Sequence, residues 1–255
     1  TNESLFTGLG DTHLDIAVEK VHRKFGAELT LNLPKVAYKE TITQIAKAEY
    51  KHKKQTGGHG QYGHVLLRLE PQERSEGFSF KHEVVGGAVP REYIPPVEKG
   101  VIKALQEGVM AGFPVVDLKV VLYHGSYHDV DSSGLAFEIA GSHAVRKGVA
   151  EASPMLLEPI LRLRVTVPDT FAGDIIGDLN GRRGRITGMT PQNDNTLIET
   201  EVPQAEILRY AIDLRSLTQG RGSYCQEFSH YEGVPQNITQ RIIGEAKRLK
   251  ETAQA

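Results

Sequence analysis

The sequence predicts a multidomain α+β protein, and three observations support this fold class. The last third of the chain follows a β-α-β-β-α-β order, the middle combines five strands with two helices, and the first 35 residues give strand, helix and strand. Strands are predicted where apolar and polar residues alternate, and helices where apolar residues recur every three or four positions. The chain has 255 residues, which is enough for two or three small domains.

Residues 1–34 form the first segment. We predict strands at residues 4–7 and 27–33, with a helix over residues 11–25 between them. Two strands and one helix bury too little apolar surface to be stable alone. We therefore expect the other half of this domain to lie upstream in a longer protein.

Residues 35–156 form a mixed middle segment. One helix is predicted to begin near Pro95. A second follows Ser132 and Ser133, and Asp131 or Ser132 is the expected cap of its first turn, because such side chains accept the free N–H groups there. The strands are predicted near residues 36–42, 44–54, 63–71, 78–85 and 116–123.

Residues 157–231 give the clearest domain. The predicted elements are a strand at 161–167, a helix from Pro168 to Gly181, strands at 185–189 and 196–202, a helix from Pro203 and a strand at 224–231. This order is the ferredoxin-like split motif. Residues 232–255 give a last amphipathic helix, which we expect to pack on the middle segment.

Composition limits the classes of protein that fit. The hydrophobic fraction of 39% and the charged fraction of 24% are ordinary for a globular protein, and no apolar run reaches the length of a membrane span. The single cysteine, Cys225, excludes an intrachain disulfide and fits a reducing compartment. Because the net charge is −2, affinity for nucleic acid must come from local basic patches.

The most informative stretch is QTGGHGQYGH at residues 55–64. It lies between two predicted strands and follows Lys51, Lys53 and Lys54, so we predict a hairpin with a bare tip and a cationic stem. Glycines let the main chain bend and approach another surface closely. Such a tip suits contact with a phosphate backbone, although a simple mobile hairpin is the alternative.

A nucleotide site is the competing interpretation, because Gly58, Gly60 and Gly63 match the spacing G-x-G-x-x-G. That fingerprint requires a helix that begins at the motif, and here a strand follows it. The sequence also contains no phosphate-binding motif of the form G-x-x-x-x-G-K-[ST]. We therefore assign no nucleotide-binding residue and expect no cofactor on this chain.

Metal and covalent chemistry are not predicted either. The histidines around the glycine-rich stretch come without the cysteine or carboxylate partners that complete a metal site. Ser132 and Ser133 have no base arranged beside them. We assign no metal ligand and no catalytic residue.

Nine motifs in order along the chain resemble bacterial elongation factor G. They are GLGDTHL at 8–14, KVAYKETI at 35–42, the glycine-rich stretch, VGG at 85–87, EYIP at 92–95, GFPVVD at 112–117, GSYHDVDSS at 125–133, GDLNGRRG at 177–184 and DLRSLTQGRG at 213–222. The resemblance covers essentially the whole chain without large gaps.

The resemblance implies a domain division and a fold for each part. Residues 1–34 would be the back half of the family's third domain, a partial ferredoxin-like half-domain. Residues 35–156 would be the fourth domain, an elongated α/β sandwich of the ribosomal-protein-like type. Residues 157–231 would be the ferredoxin-like fifth domain, and residues 232–255 a helix that packs back on the fourth.

The resemblance also implies a function. The family promotes GTP-dependent translocation of tRNA and mRNA on the ribosome, and its fourth domain reaches into the decoding region. We therefore expect a cytoplasmic monomer that binds ribosomal RNA, tRNA and mRNA, without a membrane partner. GTP and Mg²⁺ would belong to the GTPase domain of the parent protein, which together with the other N-terminal domains is expected to contact this chain. The chain itself is not expected to be catalytic.

Particular residues are implicated by the resemblance. The first tip loop, residues 55–60, and the second tip loop, residues 125–131, would meet tRNA in the decoding region. Their short polar side chains suit contacts with sugar and phosphate that do not depend on base sequence. The implicated tip residues are Gln55, Thr56, Gly57, Gly58, His59, Gly60 and His128. Further RNA-facing candidates are Lys51, Lys53, Lys54, Arg182, Arg183, Arg185, Arg215 and Arg221.

One tip residue departs from the family's pattern. Most elongation factor G sequences carry arginine where this chain has His59, which replaces a permanent charge by one that depends on pH. Such a change is typical of a divergent paralogue. A paralogue specialised for ribosome recycling, or with a distinct role, is therefore the alternative function.

Overall fold

The structure is a computed structural model that describes residues 3–6, 8, 10–56 and 59–254. The chain divides into two compact units. The middle unit comprises Tyr38–Leu157 and Gly233–Ala255, and the late unit comprises Thr1–Ala37 and Glu158–Glu232.

The helices and strands, in chain order, are α1 (Asp11–Phe25), β1 (Lys39–Ile42), β2 (Ala46–Thr56), β3 (His59–Pro71), β4 (Phe78–His82), α2 (Ile94–Glu107), β5 (Leu118–Ser126), α3 (Gly134–Glu151), β6 (Pro154–Pro168), α4 (Asp169–Gly181), β7 (Arg185–Gln192), β8 (Asn195–Pro203), α5 (Tyr210–Leu217), β9 (Ser223–Gly233) and α6 (Gln236–Gln254).

A four-stranded sheet with two helices on one face forms the body of the middle unit. The strand order is β2-β3-β5-β4, in which β4 runs parallel to β5 and the other neighbours are antiparallel. Alternate residues of β3, Val65, Leu67 and Leu69, are buried in the same core cluster as Val97 of α2 and Phe137 of α3. The alternation in the sequence therefore identifies the face of the sheet that the helices cover.

A buried carboxylate organises the turn that follows α2. Glu40, on β1, has no exposed surface. Its two oxygens accept five main-chain N–H groups from residues 109–113 at 2.7 to 3.1 Å. Five such hydrogen bonds can stabilise a buried carboxylate even when no cation lies beside it. Glycine is required at Gly108, where φ is 74° and a Cβ atom would lie 2.3 Å from the carbonyl oxygen of Phe113.

The helix α6 packs within the middle unit. Ile238 and Ile242 on one face of this helix join a small apolar cluster with Leu156 of β6 and with Tyr38 and Phe113. The main-chain N–H of Val234 also donates to the carbonyl oxygen of Leu156 at 2.9 Å. The apolar stripe of the last helix is thus covered by residues of the same unit.

The late unit contains the ferredoxin-like sheet. Its strands follow the order β9-β6-β8-β7, with β6–β8 and β7–β8 antiparallel. The two β-α-β halves therefore interleave, and the fold predicted from the sequence is confirmed. Buried Ile175 and Leu179 of α4 and Leu214 of α5 pack against Leu163 and Ile198 of the sheet.

The prediction of a helix from Pro203 is wrong in its first part. Residues Gln204–Glu206 form a single 3₁₀ turn, and α5 begins only at Tyr210. Ile207 and Arg209 have φ near −120° with ψ near 15°, which is outside the helical region and separates the turn from the helix. Helix propensity and the spacing of apolar residues did not reveal this break, because apolar residues continue at helical spacing through it.

The predicted strands of the first segment are also wrong over their described residues. The helix α1 forms as expected and ends at Gly26, whose φ of 66° is left-handed. Residues 4–6 and 27–33 form no strand, and Thr7 lies outside the described residues. In the part of the chain that the structure describes, no other strand pairs with them, and a strand without a partner leaves its main-chain groups unpaired.

A second buried carboxylate fixes the turn after α4. Glu158 is only 3% exposed, and both of its oxygens accept hydrogen bonds from Arg183, at 2.8 and 2.9 Å. Glu206 accepts a third bond from Arg183 at 3.0 Å. The hydrogen bonds accepted by Glu158 are the main reason that the pKa of Arg183 is raised above its ordinary value. Arg183 therefore has a structural role in the late unit.

Among the described residues, no helix combines the length and the apolar character that crossing a membrane requires.

Replacement of Glu40 tests the buried carboxylate. Glu40→Gln keeps the shape but places an amide NH₂ among N–H donors, so we expect unfolding free energy to fall by about 3 kcal/mol or more. Urea unfolding of the chain measures this loss. Glu151→Gln, at an exposed carboxylate on α3, is the control and should change little. A Glu40→Gln protein as stable as the wild type would contradict this account.

Replacement of Arg183, with Arg185 as the control, tests the role of the buried Glu158 carboxylate. Arg183→Ala leaves Glu158 buried without a partner, so we expect the free energy of unfolding to fall by about 3 kcal/mol. This is the lower end of the cost of breaking a buried ion pair, because Arg183 itself is 27% exposed. Arg185 is 72% exposed and pairs with Glu201, so Arg185→Ala should have a much smaller effect. Thermal unfolding compares the two variants. A loss for Arg183→Ala as small as that for Arg185→Ala would show that Arg183 is not structural.

Candidate nucleic-acid interface

The described residues of the glycine-rich stretch lie on the two strands of a long hairpin, as predicted. β2 and β3 pair without interruption from Ala46 opposite Leu69 to Thr56 opposite His59. The connecting residues, Gly57 and Gly58, lie outside the described residues, and at Gln55, Thr56 and His59 the structure describes the main chain alone. The strand register places Gln55, Thr56 and His59 at the end of the paired strands.

The second tip loop lies beside the first. The N–H of Gly60 donates to Oδ1 of Asp131 at 2.9 Å, and the N–H of Tyr62 donates to the carbonyl oxygen of Asp131 at 2.8 Å. A Cβ atom at Gly60 would lie 2.8 Å from the carboxyl carbon of Asp131, so the close approach depends on glycine. Asp131 thus joins the two loops that the sequence implicated separately.

The cap of α3 differs from the prediction. Ser133 is the N-cap, and its Oγ accepts the N–H of Ala136 at 3.2 Å. Ser132 instead accepts the N–H of His128 at 2.9 Å and stabilises the second tip loop. The helix begins one residue later than a Ser132 cap would require and two residues later than an Asp131 cap would require, which leaves Asp131 available to Gly60.

His128 is one of three exposed polar side chains of the second tip loop, together with Tyr127 and Asp129. Its side chain is 57% exposed. The Nδ1 atom faces the protein, 3.5 Å from Oδ2 of Asp131 and 3.4 Å from the main-chain N of Val130, and the ring centroid is 6.4 Å from that of Tyr62. In the neutral ring that accepts the Val130 N–H at Nδ1, Nε2 carries the hydrogen and can donate to a phosphate or sugar oxygen. In this state the main-chain N–H of Val130 orients the ring of His128, and Asp131 joins the loops.

Three lysines give the end of the hairpin a positive edge. Lys51, Lys53 and Lys54 are exposed on β2, which is the edge strand of the sheet. The ammonium group of Lys51 lies 5.2 Å from the ring centroid of Tyr62, a favourable cation–π distance. The basic stem predicted from the sequence therefore leads directly to the tip, where a local positive potential can attract phosphates.

The predicted arginines of the late unit fall into two groups. Arg182 donates to Asp178 at 2.8 Å and to Asp213 at 2.9 Å, so like Arg183 it stabilises its own unit. The other three, Arg185, Arg215 and Arg221, are exposed. Arg185 pairs with Glu201, and the guanidinium carbon of Arg221 lies 4.6 Å from the ring centroid of Phe171. A role of these arginines in RNA contact remains a prediction.

Sequence reasoning missed the contacts that hold the tip together. Asp131 and Gly60 are 71 positions apart, and no local pattern signals a hydrogen bond over that separation. A row of hydrogen bonds among Tyr62, Ser126, His64 and Glu49 was also missed. The only available signal was that Tyr62 and His64 are two residues apart and hence lie on one face of β3.

The chemistry of this site is that of binding. Its exposed groups include an imidazole, lysines and main-chain groups at two adjoining loops, and the second loop also exposes Tyr127 and the carboxylate of Asp129. No group of three histidine, cysteine, aspartate or glutamate side chains that could hold a metal ion occurs in the described part of the chain. The arrangement therefore suits contacts with the sugar–phosphate backbone of a folded RNA.

Comparisons with known proteins agree on one family. Residues 34–153 match the model of elongation factor G, domain IV, and residues 155–242 match the model of the elongation factor G C-terminus. An elongation factor G of Aquifex pyrophilus is 51% identical over 245 residues, which are 96% of this chain and 35% of that protein. A crystal structure of a protein from Thermus thermophilus superposes with a TM-score of 0.83 at 48% identity, covering 94% of this chain and 36% of that chain.

The chain spans about a third of the length of these relatives. The two family models follow one another along it and together reach from residue 34 to residue 242. With this match and the two units of the fold, the chain belongs to the elongation factor G family and carries its domain IV and C-terminal region.

Proposed function

We propose that this chain is the ribosome-binding part of a factor that promotes GTP-dependent translocation of tRNA and mRNA, and that its two tip loops enter the decoding region of the small subunit. The observation that carries this proposal is the junction at Asp131, which brings the first loop and the exposed His128 together at one end of the middle unit. Membership of the elongation factor G family supports it.

The chemistry of the tip fits a factor that must act on every codon. A translocase cannot depend on base identity, so its contacts should be with sugar hydroxyls, phosphates and the shape of the RNA. His128, the lysines of β2 and the main chain of the glycine-rich loop supply such contacts. The tip would then occupy space that tRNA must leave, and would hold the tRNA after it has moved.

The proposal assigns different tasks to different parts of the whole protein. GTP binding and hydrolysis belong to a GTPase domain of the parent, and this chain supplies no catalytic residue. The partners are ribosomal RNA, tRNA, mRNA and the other domains of the same protein, which acts as a monomer in the cytoplasm. The domains are 1–34, 35–156, 157–231 and 232–255. The exposed RNA-facing candidates are Lys51, Lys53, Lys54, Arg185, Arg215 and Arg221.

Single-round translocation tests the role of His128. In the full-length protein that contains this chain, His128→Ala should slow mRNA movement by about tenfold or more. A tenfold slower rate corresponds to an activation free energy that is higher by about 1.4 kcal/mol. GTP hydrolysis on ribosomes should persist, because the GTPase domain is unchanged. The movement of a fluorescent mRNA on pre-translocation ribosomes is the measurement.

His124→Ala is the matched control, because His124 is an exposed histidine on β5 outside the tip loops. It should translocate at the wild-type rate. An unchanged rate for His128→Ala would contradict the proposed role of the tip. If the wild type hydrolyses GTP on ribosomes but does not move mRNA, the recycling paralogue becomes the better proposal, and splitting of post-termination ribosomes tests it.

A further inference from the structure

Four polar side chains form a continuous row of hydrogen bonds across three strands of the middle unit. Tyr62 Oη lies 2.7 Å from Ser126 Oγ, which lies 2.8 Å from Nδ1 of His64. Nε2 of His64 lies 2.8 Å from a carboxylate oxygen of Glu49. We call this row the polar chain. It connects β2, β3 and β5 on the sheet face opposite the helices, because its β3 members alternate with the buried Val65.

One assignment of hydrogens satisfies every member of the polar chain when the imidazole is neutral. Tyr62 donates its hydroxyl hydrogen to Ser126, Ser126 donates to Nδ1 of His64, and Nε2–H of His64 donates to Glu49. Each hydrogen is used once, and each bond polarises the next. The side chain of His64 is only 15% exposed, so loss of a partner would not be fully compensated by water.

The polar chain ends where the second tip loop begins. Ser126 is the last residue of β5 and the second residue of that loop. Tyr62 also belongs to the junction of the two loops, because its main-chain N–H donates to the carbonyl oxygen of Asp131. The strands approach closely here, since a Cβ atom at Gly125 would lie 2.4 Å from the carbonyl oxygen of His64. The loop is thus fixed at its start by Ser126 and at its end by Asp131.

We propose that the polar chain positions the second tip loop and the imidazole of His128, with His64 and Ser126 as positioning residues. Without the bonds at Ser126, the start of the loop would lose its side-chain attachment to Tyr62 and His64 and would move more freely. The consequence for translocation rests on the proposed function, whereas the geometry can be measured in this chain alone.

The order of the atoms distinguishes this role from covalent catalysis. A serine, a histidine and a carboxylate in a row resemble a hydrolase triad, in which Nε2 faces the serine and Nδ1 faces the carboxylate. Here Nδ1 faces Ser126 and Nε2 faces Glu49. In addition, Ser126 Oγ is shared with Tyr62. The row therefore joins structural elements and does not activate a nucleophile.

Hydrogen exchange of single amides tests the proposal. The N–H of Tyr62 and that of Ser132 report on the second tip loop, because they donate to Asp131 and to His128, respectively. Ser126→Ala should accelerate exchange of both amides by about tenfold, which is the change that losing one net hydrogen bond can produce. Ser126→Thr keeps the hydroxyl and should restore slow exchange.

Ser79→Ala is the control, because Ser79 donates to Gln72 at 3.1 Å in the same sheet but away from the tip. It should leave both amides unchanged. The ¹⁵N shift of His64 Nδ1 should move in Ser126→Ala and not in Ser79→Ala, which a general loss of stability would not produce. Tyr62→Phe keeps the ring and removes the other hydroxyl, so it is a second test if Ser126→Ala does not fold.

Unchanged exchange at Tyr62 and Ser132 in both Ser126→Ala and Tyr62→Phe would overturn the proposal, and so would equal acceleration in Ser79→Ala. If exchange accelerates as expected while full-length Ser126→Ala translocates normally, the positioning role stands and the proposed function of the second tip loop fails. The two inferences are therefore separable.

Discussion

The middle unit depends on carboxylates that accept main-chain N–H groups of the turn after α2 and of the tip. Glu40 does this most completely, since it satisfies five donors of the turn after α2 from a fully buried position. Asp131 does the same on a smaller scale at the tip, where its carboxylate accepts Gly60. Unpaired main-chain donors are costly when buried, so each carboxylate determines the path of the loop that it binds.

Local patterns predicted the elements whose pairing partners are near in sequence or whose faces are strongly periodic. The alternation in β3 and the order of the late unit are examples, and both agree with the observed sheets. The strands expected at residues 4–6 and 27–33 failed because strand formation depends on a partner, which local sequence does not reveal. Proline and apolar spacing likewise did not reveal the break before α5.

The candidate site was predicted only in part, because local sequence does not reveal contacts between residues that are distant along the chain. The glycine-rich turn, the lysines of β2 and His128 are recognisable as sequence, whereas the contacts that join them are not. Asp131 looked like a helix cap and proved to be the link between two loops. Arg182 and Arg183 looked like free surface cations, and the structure shows that their donors bind carboxylates of the same unit. Basic residues in a sequence therefore overestimate the number of surface cations without a partner in their own unit.

Directed hydroxyl-radical probing can locate the second tip loop on the ribosome. Val130 is 65% exposed in the second tip loop, so an iron chelate can be attached at Val130→Cys after the exposed Cys225 has been replaced by serine. Glu73→Cys, beyond the opposite end of β3, is the matched control. With the full-length factor on ribosomes, our account predicts cleavage of small-subunit RNA in the decoding region from position 130 and not from position 73. Cleavage elsewhere from position 130, or the same cleavage from both positions, would contradict it.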